Sequence, residues 1–251
     1  MRYSALLRKI SLHFLGLNLF ISPNYAFANE TLTIGTDINR ISLAICERIF
    51  AELSKTIPEV TFKVQGLPNK RSLIEANAGE IDGDCGRVHN IKDISKLTLS
   101  NLITIPESII ETTYVLIRKK ESPAILSLEE LKNRKVAITH GVLYLEAATK
   151  NMDQVFVKKT TKGLQLVQKE RVLGFVASLW QVWRPLKEKN KHLYEDLELS
   201  VAPIPSSTLH TMLHKKHRHL IAPLGRAIKE MKESGKMKEI SESLGIKIPM
   251  N

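Results

Sequence analysis

The chain of 251 residues has two cysteines, Cys46 and Cys85, two tryptophans, and only 6% aromatic residues. Scarce rings leave no basic stripe interleaved with aromatics, the arrangement that stacks single-stranded nucleic acid, and that class of partner is excluded. Two lone cysteines argue against a cysteine-held metal. They have one possible pairing, and the spacing does not choose between a disulfide and two buried thiols. Past the N-terminus no segment is apolar enough to span a bilayer, and there is no repeat of solenoid period and no low-complexity tract. The formal charge is +11, from 37 Lys and Arg against 26 Asp and Glu. The lysines are scattered, which reads as a solvated basic surface.

The N-terminus has the layout of an export signal. Arg2, Arg8 and Lys9 precede a mostly apolar stretch from Ile10 to Ile21, Pro23 breaks it, and Ala26-Phe27-Ala28 offers small residues for cleavage. The stretch is shorter than the roughly 20 apolar residues of a membrane span. Residues 1–28 are therefore read as a cleaved signal peptide, and the mature chain as periplasmic. No cysteine follows the cleavage site to take a lipid anchor.

Strand-like and helix-like segments alternate through the remainder, the signature of an α/β fold. Thr31 to Thr36 reads as a strand, and Ile38, Ile41, Ile45, Ile49 and Leu53 mark a helix starting near Asp37. Val60 to Gln65 is the next strand. Pro68 suits a helix entrance, Gly79 a left-handed stop, and Ile81 to Cys85 a short strand that leaves Gly86-Arg87 in a polar loop. Leu97–Ile105 and Thr112–Arg118 are β-like, with Pro106-Glu107 between them. After a linker at 119–123, Ser127 caps a short helix. Strands follow at Lys135–Thr139, Val155–Lys158, Val172–Ala177 and Leu197–Pro203. Helices are expected at 141–150, 162–169 and 179–186, and the chain reads as helical from Thr208 onward.

These motifs, in this order, resemble the family 3 periplasmic solute-binding proteins known from polar amino-acid ABC transporters. The resemblance covers nearly all of residues 30–246. It rests on Gly79-Glu80-Ile81-Asp82-Gly83, on Tyr114-Val115-Leu116-Ile117, on the run from Ser127 to Ile138, and on Met231-Lys232-Glu233-Ser234-Gly235-Lys236. It implies a two-lobed type II α/β fold with two crossing segments. Lobe 1 would comprise 29–115 and 206–251, and lobe 2 would comprise 116–205. It implies a monomer that binds a small solute, works with an ABC permease or a sensor domain, holds no cofactor and catalyses nothing.

The ligand motif departs from the family pattern. Relatives hold an amino acid's carboxylate with the arginine of Thr-x-x-Arg and its ammonium with an aspartate after a lobe-2 strand. Here Gly86-Arg87-Val88-His89-Asn90 keeps an arginine without the threonine spacing, and Ser178 stands where the aspartate is expected. A buried ammonium without a counter-charge is costly, so an anion is favoured over a zwitterion. Arg87 and Arg71 would fork onto it, and His140, Gly141 and Val142 would present N–H groups across the cleft. Arg71 reads equally well as an exposed helix residue. Thr36 and Asp37 end the first strand, although Asp37 also fits a helix cap. Trp180 and Trp183 form either a core pair or an aromatic wall, with Tyr144 a weaker candidate.

His210 and His214 have the spacing of a helical zinc pair, but no glutamate sits between them in the zincin arrangement and cationic neighbours surround them. They are read as part of a basic face. An interaction domain without a solute, or a dehydratase on this fold, are the alternative functions, though no nucleophile with its base forms a recognisable motif.

Overall fold

The computed structural model describes residues 30–182 and 194–245; the expected signal peptide, residues 1–28, and the expected Trp183 and Leu186 positions lie outside them. In the first sheet β1 (Glu30–Asp37) runs parallel to both β2 (Val60–Leu67) and β3 (Gly83–Val88). Parallel neighbours need crossovers, and α1 (Arg40–Thr56) and α2 (Asn69–Ala78) supply them. A short helix α3 (Ile91–Ile94) follows β3, and the sheet is completed by β4 (Leu102–Thr112) and β10 (Ser207–His214), in the order β2-β1-β3-β10-β4.

The second sheet has the order β7-β6-β8-β5-β9. Its strands are β5 (Tyr114–Lys119), β6 (Lys135–Thr139), β7 (Asp153–Val157), β8 (Gly174–Ser178) and β9 (Leu197–Val201). The helices α4 (Leu143–Ala148) and α5 (Thr160–Gln168) pack on it, and a helical turn begins at 179–182. Alternate β5 residues serve two cores. Val115 and Ile117 face Phe175 and Leu164, whereas Leu116 faces Val136, Ile138 and Leu145.

The lobes join where β4 ends at Thr112 and β5 begins at Tyr114, and again at 202–206 between β9 and β10. One bond laces the two crossings together, from Ala202 N–H to the Tyr114 carbonyl at 2.9 Å, and another ties the first crossing to the end of β8, from Leu179 N–H to the Thr113 carbonyl at 2.8 Å.

Three expectations need correction. Strand β3 extends through Gly86-Arg87 to Val88, so Arg87 is not in a loop. Pro106-Glu107 lies inside β4 rather than between two strands; β4 is an edge strand, where a missing N–H is tolerated. Residues 207–214 form the strand β10 between β3 and β4, and helices begin only afterwards with a 3₁₀ segment (Lys215–Leu220), α6 (Ile221–Glu233) and α7 (Lys236–Ser243). His210 and His214 are thus strand residues, without the turn-to-turn alignment a helical zinc pair requires. His210 instead uses Nδ1 toward the Ile105 carbonyl at 3.0 Å and Nε2 toward Thr208 Oγ1 at 3.1 Å.

Cys46 on α1 and Cys85 on β3 form a disulfide across a separation of 39 residues. It decides between the two readings of the cysteines and pins the first helix to the cleft-lining strand. A loop of this length is stabilised by closure by about 2–4 kcal/mol. The Cys46→Ala/Cys85→Ala double variant is expected to lose that much in urea unfolding, and reduction should reproduce the loss. A double variant as stable as the parent would contradict this.

Candidate functional site

At the carboxyl ends of β1 and β3, a small sequence device shapes one wall of the interlobe cleft. Asp84 and Arg87 are three apart, which in a regular strand puts them on opposite faces. Gly86, at φ 89°, sits at a bulge where β10 pairs His210 with Arg87 but Thr211 with Cys85. The extra residue restores parity, and both side chains turn to the α2 side. Gly35 has a matching part on β1: a Cβ there would lie 2.3 Å from Ser72 Oγ, so only glycine lets α2 settle close enough for Ser72 to reach Asp84.

The outcome is a closed network. Asp84, fully buried, accepts from Arg87 Nε and from Ser72 Oγ, and its Oδ2 also accepts from Arg87 Nη2 at 3.0 Å. Arg87 further donates to Asn69, from Nη1 to Oδ1 at 2.7 Å and from Nη2 to the carbonyl at 3.0 Å. Burial would lower the Arg87 pKa, but the charge and hydrogen bonds of Asp84, with the charge of Asp37, outweigh it and hold the guanidinium above its ordinary range. Its fork is therefore closed on an internal carboxylate.

The cleft beside this network is narrow, a cavity of about 70 Å³. Both lobes line it. Lobe 1 contributes Thr36, Asp37, Ser42, Asn69 and Arg87, and lobe 2 contributes Tyr114, Val142, Tyr144, Ser178, Trp180 and Gln181, around an apolar floor that includes Ile45, Ile91 and Leu209. Trp180 Nε1 donates to Thr112 Oγ1 at 2.8 Å, a tie from the second lobe to the end of β4. Tyr144 stacks on Tyr114 at 4.9 Å between centroids, and its hydroxyl donates to the Pro205 carbonyl at 3.1 Å. The lobes touch, since a Cβ on Gly141 would lie 3.3 Å from that of Asn69.

Of the expected site residues, Thr36, Asp37, Arg87, Val142, Ser178 and Trp180 meet at this cleft. The Thr36 hydroxyl, however, donates to the Cys85 carbonyl at 3.1 Å. Arg71 is not at the cleft: it is exposed on α2 and pairs with Glu75 one turn along. His140 and Gly141 do not line it either. Their N–H groups, with that of Val142, are engaged by the Val157 carbonyl at 2.9 Å, Glu146 Oε1 at 2.7 Å and the Thr139 carbonyl at 3.3 Å, and the expected anion-binding donors are absent there. Asn39, not Asp37, caps α1, accepting from Ile41 N–H at 3.0 Å.

Sequence reasoning missed Ser42, Asn69 and Gln181. Ser42 is a lone hydroxyl on the apolar face of α1, the one signal that was there to be read. Among the described residues no cluster of three or more His, Cys, Asp or Glu is arranged to hold a metal.

Asp37 is the remaining acid of the cleft. Burial holds its carboxyl above the ordinary range, against the opposing pull of the Asn39 N–H, the Arg87 charge and the Asn69 side chain, while the Asp84 charge adds to burial.

A scan against protein-family profiles finds no match, and no curated protein matches the sequence. Solved structures do. An amino-acid ABC transporter substrate-binding protein from Streptococcus pneumoniae bound to L-arginine superposes with TM-score 0.67 at 14% identity, covering 85% of this chain and 94% of that one. A histidine kinase sensor domain with similarity to periplasmic binding proteins gives 0.69 at 14%, covering 86% and 96%. The GluR0 ligand-binding core in complex with L-glutamate gives 0.71 at 13%, covering 86% and 99%. The fold is that of the two-lobed periplasmic binding proteins. At these identities the likeness concerns architecture alone.

A raised folded-state pKa means the fold favours protonated Asp37. Its penalty is absent below the unfolded value of about 3.9 and grows as pH rises until the folded value is passed. Asp37→Asn is therefore expected to unfold at higher denaturant than the parent at pH 7, with the gap closing as pH falls toward about 4. Equal midpoints at pH 7, or a gap that widens in acid, would contradict this.

Proposed function

We propose that the chain is an extracytoplasmic solute-binding module that closes two lobes on a small solute and presents the closed form to a membrane partner, an ABC permease or a sensor. The observation that carries this reading is a cleft at the crossing segments lined from both lobes, with Trp180 and Tyr144 reaching across the hinge. Solved structures of the same fold include both substrate-binding proteins and a sensor domain. The N-terminal signal segment supports export to the periplasm, and Arg2, Arg8 and Lys9 leave with it.

The module binds and does no chemistry. Asp84 is committed to Arg87 and Ser72, and His89 is exposed and does not line the cleft, so neither serves as a base there. A second reading, an interaction domain without a solute, draws on the narrowness of the closed cleft.

A thermal-shift panel of amines, amino acids and carboxylic acids separates the two. A solute at a hundredfold excess over its Kd adds about 2.7 kcal/mol, which for a chain of this size raises Tm by roughly 5–10 °C. The binding reading expects such a rise with one chemical class, accompanied by a change in Trp180 emission. A flat panel would favour the interaction domain.

A further inference from the structure

Donors and acceptors around the cleft do not balance. A guanidinium has five N–H groups. Asp84 takes Nε–H and one N–H of Nη2, while the carbonyl and Oδ1 of Asn69 take one from each terminal nitrogen. A single Nη1–H of Arg87 is left. Trp180 donates to Thr112, Tyr144 to Pro205 and Thr36 to Cys85, which leaves the Ser42 hydroxyl, able to donate or accept, as the other free O–H or N–H here.

Acceptors are in surplus. Ser42 Oγ and Gln181 Oε1 have no hydrogen-bond partner, although the two residues are only 5% and 7% exposed. Buried polar atoms in native proteins nearly always find partners, and these two line the same cleft from opposite lobes. The Asp37 carboxylate accepts from the Asn39 N–H and the Asn69 side chain, and of its roughly four lone-pair sites others stay open to the cleft. Charge points the same way, since Asp37 and Asp84 together outnumber Arg87 by one.

Resting on the binding-module reading above, we infer that the cleft selects a small amine with an apolar body and rejects carboxylates. An ammonium carries three N–H donors; Ser42 and Gln181 offer acceptors without a partner, and the Asp37 carboxylate keeps lone pairs beyond those taken by the Asn39 N–H and the Asn69 side chain. Bridging Ser42 on α1 and Gln181 beyond β8, it would tie the two lobes in the closed state. Its body meets Ile45, Ile91 and Leu209 and the rings of Trp180 and Tyr114, surfaces that favour an alkyl or aryl group beside a cation. A carboxylate entering the same space meets Asp37 and finds the Arg87 fork already closed.

Two matched series test this by calorimetry on the mature chain: isobutylamine, L-valine and isovalerate, then phenethylamine, L-phenylalanine and 3-phenylpropionate. Each amine is expected to bind at least about tenfold more tightly than its acid, with the amino acid between them. Asp37→Asn should weaken the amine by about tenfold to a hundredfold while leaving the fold intact by circular dichroism. Should that variant fail to fold, Gln181→Leu carries the comparison, with an expected loss of about fivefold or more. An acid or amino acid that outbinds its amine, or amine affinity unchanged in the variant that folds, overturns the inference and leaves the binding module standing. If none of the six compounds binds, both fall.

Discussion

Arg87 and Asp84 are held together with almost no access to water, and this pair sets what the rest of the cleft can do. Burying two ions carries a desolvation penalty of several kcal/mol each, offset only when geometry is good and the remaining lone pairs and protons are satisfied. Here Ser72 and both polar ends of Asn69 complete that satisfaction. The pair in turn depends on two glycines. Gly86 bulges β3 so that residues three apart face the same way, and Gly35 lets α2 close on the sheet. Cys85, between Asp84 and Gly86, faces the opposite side and bonds to Cys46 on α1. One short strand therefore fixes both flanking helices, and its end forms a rigid wall.

That rigidity has a chemical consequence. An arginine whose fork is closed internally supplies structure and a screened positive charge, not a carboxylate clamp. The unmatched charge in the cleft becomes that of Asp37, which burial keeps in an unfavourable state at neutral pH. Strain of this kind is tolerated where function requires it, and removing it stabilises a protein at the expense of activity. Ser42 and Gln181, buried without partners, fit the same pattern of polarity retained for something that enters from outside.

Much of the fold was legible from residue order. The periodic isoleucines of α1, the Gly79 stop, and the Ser127–Glu130 cap, with Ser127 Oγ donating to Glu130 at 2.8 Å, all rest on local rules. The strand β10 was not legible. Its histidines and lysine neighbours resemble a solvated helix, and only insertion between β3 and β4 makes its run from Leu209 to Leu213 a buried central strand. The site was legible by address but not by role. Position at a strand end pointed to Arg87, whereas its partner across a bulge is a tertiary fact, because no local pattern declares that Gly86 will reverse the parity of the strand. Gln181 follows Trp180 with nothing in the sequence to single it out.

Arg87 is committed to Asp84 and not to a ligand, and its side-chain N–H resonances report on that commitment. In ¹⁵N-labelled protein, a resolved Arg87 Nε–H signal is expected, slow to exchange with water and unmoved by millimolar carboxylates such as isovalerate. Asp84→Asn should shift it and speed its exchange. An Arg87 signal that exchanges rapidly in the parent, or that moves in a saturable way as a carboxylate is added, would rule out the closed Arg87–Asp84 pair and return the arginine to the ligand.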